Sequence, residues 1–261
     1  MLKLKKPIPG TFQELQEKVE AKIKEEAERH LILYRDGDIV ERHLCSNSGF
    51  CRAMVNQGYL SWAEMQHAAQ RYKLGMARDG GVIFWQIDML NQWYDGKIMY
   101  YQDNGHRDHH HPPTWVFTEL KRFCLGVNNP LYHQLTTNHC LFGLHLLRGY
   151  EGTVAVVEAE KTAVVMSERY PNYLWLATGG LSALTPNQLF PLQGHQVILF
   201  PDTDEDGTTY RLWCRQAKKA EWHLGKHIKV SSFLERRATP DQKRRKIDLI
   251  DYLFEGSIHP V

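Results

Sequence analysis

Gln196-Val-Ile-Leu-Phe200-Pro-Asp202-Thr-Asp204-Glu-Asp206-Gly207 is an unbroken apolar run that stops abruptly in acid. A strand apolar at every position is buried on both faces, as in a parallel sheet covered by helices. A second run of the same kind, Thr153-Val-Ala-Val-Val157, ends at Glu158. Between them, Glu160 to Tyr170 carries apolar residues at helical spacing, and Leu174-Trp-Leu-Ala177 is a short strand closed by Gly179-Gly180. Beyond them, a helix is expected in the later part of 206–219, and His227-Ile-Lys-Val230 reads as a further strand. Short strands alternating with helices specify an α/β fold with a parallel sheet.

Ligands of such sheets bind beyond the carboxyl ends of the strands. Glu158, Asp202 and Asp204 all fall there. Carboxylates gathered at one edge repel unless a cation lies between them, and oxygen-only ligands select a hard ion, Mg2+ or Mn2+. Such an ion serves phosphoryl and phosphodiester chemistry. Asp202-x-Asp204-x-Asp206-Gly207 also looks like the start of a calcium-binding loop. Its twelfth position is Trp213 rather than Glu, and a strand precedes it instead of a helix, so calcium sensing is set aside.

Upstream, the pattern changes. Residues 11–29 read as a helix, with Thr11 and Glu14 as a capping box and a narrow stripe of Phe12, Leu15, Val19 and Ile23. This segment is expected to be peripheral to function. Ser61 to Tyr72 forms a second helical pattern, with Gly75 in the cap region. Gly81 to Asp88 and Lys97 to Gln102 read as an antiparallel pair joined by a turn around Asp95-Gly96. The polar stretch from Gln102 to Thr114, with His106, His109, His110 and His111, is expected to be a loop facing phosphate or nucleic acid through Arg107. Adjacent histidines in an extended loop point in alternating directions and are poorly placed to share one metal ion.

The chain has 261 residues and a net charge of +2, so it is not a uniformly basic nucleic-acid coat protein. Its five cysteines form no CxxC pair, which supports neither a disulfide framework nor a zinc ribbon. No apolar run reaches membrane-spanning length, and the basic start is not followed by an apolar secretory core, so the expected location is the cytoplasm. Charge is concentrated late in the chain. Arg236, Arg237, Lys243, Arg244, Arg245 and Lys246 are candidates for phosphate contacts.

Val154-Ala-Val-Val-Glu158-Ala-Glu-Lys161, Leu176-Ala-Thr-Gly-Gly180 and Val197-Ile-Leu-Phe-Pro-Asp202-Thr-Asp204 together resemble the TOPRIM domain shared by bacterial primases, topoisomerases and certain nucleases. Ala159 stands where Gly is usual in that domain, and Thr162 where many members have Asp. Gly80 to Asp88, Asp95 to Met99 and Gly105 to Arg107 are similar to the small β-rich segment that precedes TOPRIM in phage-type primases. The resemblance implies a Rossmann-like parallel sheet flanked by helices over 136–261, a primase-like α+β region over 31–135 and a separate helix over 1–30. It implies Glu158 as the catalytic or metal-binding glutamate, Asp202 and Asp204 as Mg2+ or Mn2+ ligands, and Lys161 as a phosphate contact. It further implies single-stranded DNA or RNA as substrate, and a helicase or other replication protein as partner. Template-directed nucleotidyl transfer, phosphodiester hydrolysis and non-catalytic nucleic-acid binding all remain open at this level. A topoisomerase needs a large gate domain for which this chain is too short.

Overall fold

The computed structural model describes residues 38–180 and 183–255, together with 21, 22 and 25. The helix expected over 11–29 otherwise lies outside the described residues. The described chain forms two compact units. One comprises Val40–Val116 and continues from 137 to 255, and the other includes Phe117–Thr136. In the latter, Phe117, Leu131 and Leu135 form a small core. Lys121 donates to the carbonyls of Tyr132 and Leu135 at 2.9 and 2.8 Å.

The larger unit holds two four-stranded sheets. The first is antiparallel, with β1 (Gly75–Met76), β2 (Val82–Ile87), β3 (Trp93–Met99) and β4 (Thr114–Trp115) in that order. The β2–β3 turn falls at 88–92, where Asp88 Oδ1 accepts from the amides of Leu90 and Gln92 at 2.8 and 2.9 Å. Asp95-Gly96, expected to be that turn, lies inside β3 opposite Gln86 and Trp85. The glycine is required by packing: a Cβ at 96 would stand 2.7 Å from Ile83 Cγ2 and 2.8 Å from the Trp85 ring. Gly75 is likewise a packing glycine and not a helix cap, because a Cβ there would meet Trp85 Nε1 at 2.7 Å. The helix it was expected to close, Trp62–Arg71, is followed instead by Lys73 at φ 52°. At its start Ser61 and Glu64 form a reciprocal capping box.

The second sheet is parallel, with β5 (Thr153–Val157), β6 (Tyr173–Ala177), β7 (Gln196–Leu199) and β8 (Lys229–Val230) in the order β6-β5-β7-β8. Helix Glu160–Arg169 connects β5 to β6, and helix Thr208–Leu224 connects β7 to β8. Alternation along β5 feeds two cores. Ala155 and Val157 pack toward helices Trp62–Arg71 and Glu160–Arg169 and toward Phe84 of β2. Val154 and Val156 pack with Leu189, Trp213 and Ala217 on the other face. Glu160 through Ser167 are all buried, so that helix is wedged between layers rather than lying on a surface. The expected α/β class, a parallel sheet flanked by helices beside a small α+β region, is the observed one. Among the described residues no helix is long and apolar enough to cross a membrane.

Candidate functional site

From β5 the chain crosses to β6 on one side and then returns to β7 on the other. The carboxyl ends of β5 and β7 therefore flank a topological switch point, where an open parallel sheet leaves a crevice. Glu158 follows β5 directly. Pairing of the two chains continues past β7 through Phe200 N to Val156 O at 2.8 Å, and this carries Asp202 to the same edge. Both side chains are half-buried. Asp202 titrates well above the usual carboxylate range, through burial first and then the negative charges of Asp248, Glu158 and Asp251, with Lys161 opposing. The structure thus brings Asp202 and Glu158 into one electrostatic group.

Asp204 behaves in the opposite way. Its carboxylate accepts from Thr208 N and Thr209 N, each at 2.7 Å, and from Thr209 Oγ1 at 2.5 Å. It caps the Thr208–Leu224 helix, whose own N-cap position, Gly207, offers no side chain. Burial alone would raise its pKa, but the Thr209, Thr208 and Gly207 donors outweigh it and hold it below the ordinary value. Among the described residues no three His, Cys, Asp or Glu side chains are grouped as a metal site. The structure draws Asp204 into the cap of the Thr208–Leu224 helix, and Glu158 and Asp202 to the strand edge. Glu205 and Asp206 are exposed.

Asp248 and Lys97, which sequence reasoning left out of the site, belong to it beside Lys161, which it included. Asp248 is buried; its Oδ1 accepts from Asp251 N at 2.9 Å and its Oδ2 from Thr162 Oγ1 at 2.7 Å. Lys161, also buried, places Nζ 3.9 Å from Asp248 Oδ2. Burial disfavours its charged form, yet Asp248, Asp251, Tyr59 and Asp202 together hold its pKa above that of an ordinary lysine. Lys97 on β3 donates to Gly179 O at 2.7 Å and pairs with the buried Glu160 at 3.2 Å. It thereby ties the antiparallel sheet to the loop that follows β6. Gly179 sits at φ 85°, and a Cβ there would lie 3.0 Å from Glu160 Oε1.

These groups line a cleft of about 260 Å³ whose walls include Lys97, His106, Arg107, Glu158, Lys161 and Asp248. Arg107, singled out in sequence, is exposed on its rim. His111 faces away from it, with its ring nitrogen 2.6 Å from Asp108 and its ring against Tyr100 at 4.9 Å. The late basic run divides in two. Lys243 pairs with Glu235 at 2.6 Å, Arg244 with Asp241 at 3.2 Å, and Arg245 with both Asp241 and Glu255. Arg236, Arg237 and Lys246 are exposed.

A half-buried carboxylate pair with cations close by can hold a divalent ion and steady a phosphate. Mg2+ is commonly bound by one or two carboxylates, with water and substrate phosphates completing its shell.

Among solved structures, the chain is similar to the primase fragment of the bacteriophage T7 primase-helicase protein, at 18% identity and a TM-score of 0.39, over 64% of this chain and 60% of that one. The chain thus spans less than two thirds of that fragment. It is also similar to a chain of the bacteriophage T7 lagging-strand DNA polymerase structure that contains primase domains of two gp4 subunits bound to an RNA/DNA hybrid and dTTP. That match has 19% identity and a TM-score of 0.38, over 63% of this chain and 72% of that one. A third similarity is to the RNA polymerase domain of Mycobacterium tuberculosis primase DnaG, at 13% identity and a TM-score of 0.36, over 91% and 82% of the two chains. No curated protein matches. Residues 48–203, more than half of the chain, match the family described as "Domain of unknown function (DUF6371)", and the chain belongs to that family.

Proposed function

We propose that this chain is a divalent-metal-dependent nucleic-acid enzyme of the primase-like TOPRIM type, which joins ribonucleotides on a single-stranded DNA template. One observation carries the reading: Glu158 and Asp202 share the switch-point edge beside a cleft whose walls hold Lys97, Arg107 and Lys161. The fit to a cation rests on Asp202, a half-buried carboxylate among the charges of Asp248, Glu158 and Asp251. Glu158 and Asp202 would hold one Mg2+ or Mn2+, which when bound supplies charge neutralisation for a transferring phosphoryl group. Asp204 takes a positioning role, fixing the turn that carries Asp202 by anchoring it to the helix.

The chain's own cations do the rest. Lys161 and Arg107 contact phosphates at the inner and outer ends of the cleft. Lys97 keeps the Gly179 loop in place, so the cleft floor stays open. Arg236, Arg237 and Lys246, with a smaller share from Lys243, Arg244 and Arg245, draw in the nucleic-acid backbone.

The test is an incubation with single-stranded DNA, ribonucleotides and Mg2+. Elongated products that disappear in Glu158→Gln support the reading. Shortened DNA would make the same edge a nuclease. Retention of DNA on a gel with neither product would make the chain a binding module.

A further inference from the structure

The carboxylates at this edge are not equivalent. Glu160 is committed to Lys97 at 3.2 Å. Asp204 is committed to the amides and hydroxyl at the start of the Thr208–Leu224 helix. Asp248 is fixed by Thr162 and by the Asp251 amide. Asp251 in turn accepts from the Asp248 amide at 3.3 Å. Lys161 stands on the Asp248–Asp251 side, buried, with Nζ 3.9 Å from Asp248 Oδ2. That separation is beyond hydrogen-bond range, so Lys161 meets Asp248 as a charge rather than as a donor, and the charges of Asp251 and Asp202 act on the same ammonium. At position 162 the side chain is a neutral hydroxyl that donates to Asp248, so it adds no negative charge to invite another ion.

We propose that Lys161 is the site's own second cation: its ammonium serves the Asp248–Asp251 side of the carboxylate group, so the protein takes a single divalent ion, at Glu158 and Asp202. This inference rests on the metal reading proposed above. The physical reason is direct. A buried ammonium repels a second divalent ion brought to the same carboxylates, and unlike a free ion it does not leave. It follows that removing the ammonium, while leaving Asp248 and Asp251 in place, opens that side to metal.

The experiment counts Mn2+ bound to the full chain by electron paramagnetic resonance titration, on wild type, Lys161→Met and Lys161→Arg. One ion is expected in wild type and in Lys161→Arg, and two in Lys161→Met, the second released first on dilution. If Lys161→Met folds only in the presence of Mn2+, that dependence is itself the expected behaviour, and the count is taken there. Should it fail to fold with Mn2+ as well, the double variant Lys161→Met/Asp248→Asn is used, which loses one charge of each sign and is expected to bind one ion. Two ions in wild type, one in a folded Lys161→Met, or two in the double variant would overturn the inference while leaving the metal reading intact. No ion in wild type at millimolar Mn2+ would sink the metal reading itself, and this inference with it.

Discussion

Thr162 Oγ1 donates to Asp248 Oδ2 at 2.7 Å across 86 residues of sequence. The bond joins the first turn of the Glu160–Arg169 helix to the N-cap of the Leu249–Phe254 helix, so the last described helix is anchored at the carboxyl edge of the parallel sheet. Both partners are buried. Thr162→Val keeps the shape and removes the donor, leaving a buried carboxylate oxygen short of a partner. A cost of about 1–3 kcal/mol is expected, a fall in Tm of roughly 2–12 °C for a unit of this size. Thr162→Ser should recover most of it. A Thr162→Val protein that melts with wild type would show that the C-terminal segment is not anchored there.

Asp202 gives the edge a pH signature. Its folded pKa lies above that of the unfolded chain, so between the two values the native state holds the proton more tightly. Stability from this group is fully present below the ordinary carboxylate range and is lost as pH rises through the raised folded value. Without metal, the difference in Tm between Asp202→Asn and wild type should therefore grow as pH rises from 4 toward neutrality. At neutral pH the variant should be the more stable of the two, because it carries no charge for Asp248, Glu158 and Asp251 to repel. Melting curves of both proteins in chelator across that range check it. A difference that shrinks as pH rises would mean that Asp202 is stabilised as a carboxylate.

What is legible in the sequence is what depends on local pattern. The unbroken apolar runs mark β5 and β7 as strands of the parallel sheet, β5 buried on both faces but β7 with Gln196 exposed and Ile198 half-buried, and their ends lead into Glu158 and Asp202. The helical pattern from Ser61 to Tyr72 marks the Trp62–Arg71 helix. The departures come from tertiary packing. Asp95-Gly96 has the composition of a turn, yet Gly96 is there because Ile83 and the Trp85 ring cross its backbone. Lys97 meets Glu160 and Gly179 from 63 and 82 residues away, and no periodicity encodes such a distance. Asp204 carries two compatible readings, metal ligand and helix cap, and the helix that begins at Thr208 points to the second. The pairing of Asp241 with Arg244 and Arg245 is readable from i,i+3 and i,i+4 spacing, and it reduces what the basic run can offer a phosphate.

That division of the basic run is measurable through salt. Each cation that no longer neutralises a phosphate should lower the magnitude of the slope of log affinity against log salt by about 0.7 for a single strand. Replacing Arg236, Arg237 and Lys246 with Gln should flatten the slope by up to about 2. Replacing Lys243, Arg244 and Arg245, which already face Glu235, Asp241 and Glu255, should flatten it less and should lower Tm instead. Fluorescence anisotropy with labelled single-stranded DNA at several salt concentrations separates the two triples. Slopes unchanged from wild type in both would return the whole run to a solvated face, and equal flattening in both would contradict the division.

The claim on which the rest depends is that Glu158 and Asp202 share a divalent ion, and thermal melting against Mg2+ tests it most directly. An ion that binds only the folded chain stabilises it by mass action, about 2.7 kcal/mol at a hundredfold excess over Kd. Wild-type Tm should climb with Mg2+ concentration and flatten on a logarithmic scale only below Kd, whereas Glu158→Gln and Asp202→Asn should each show no climb. A wild-type Tm indifferent to millimolar Mg2+, or one that rises equally in both variants, would contradict the account.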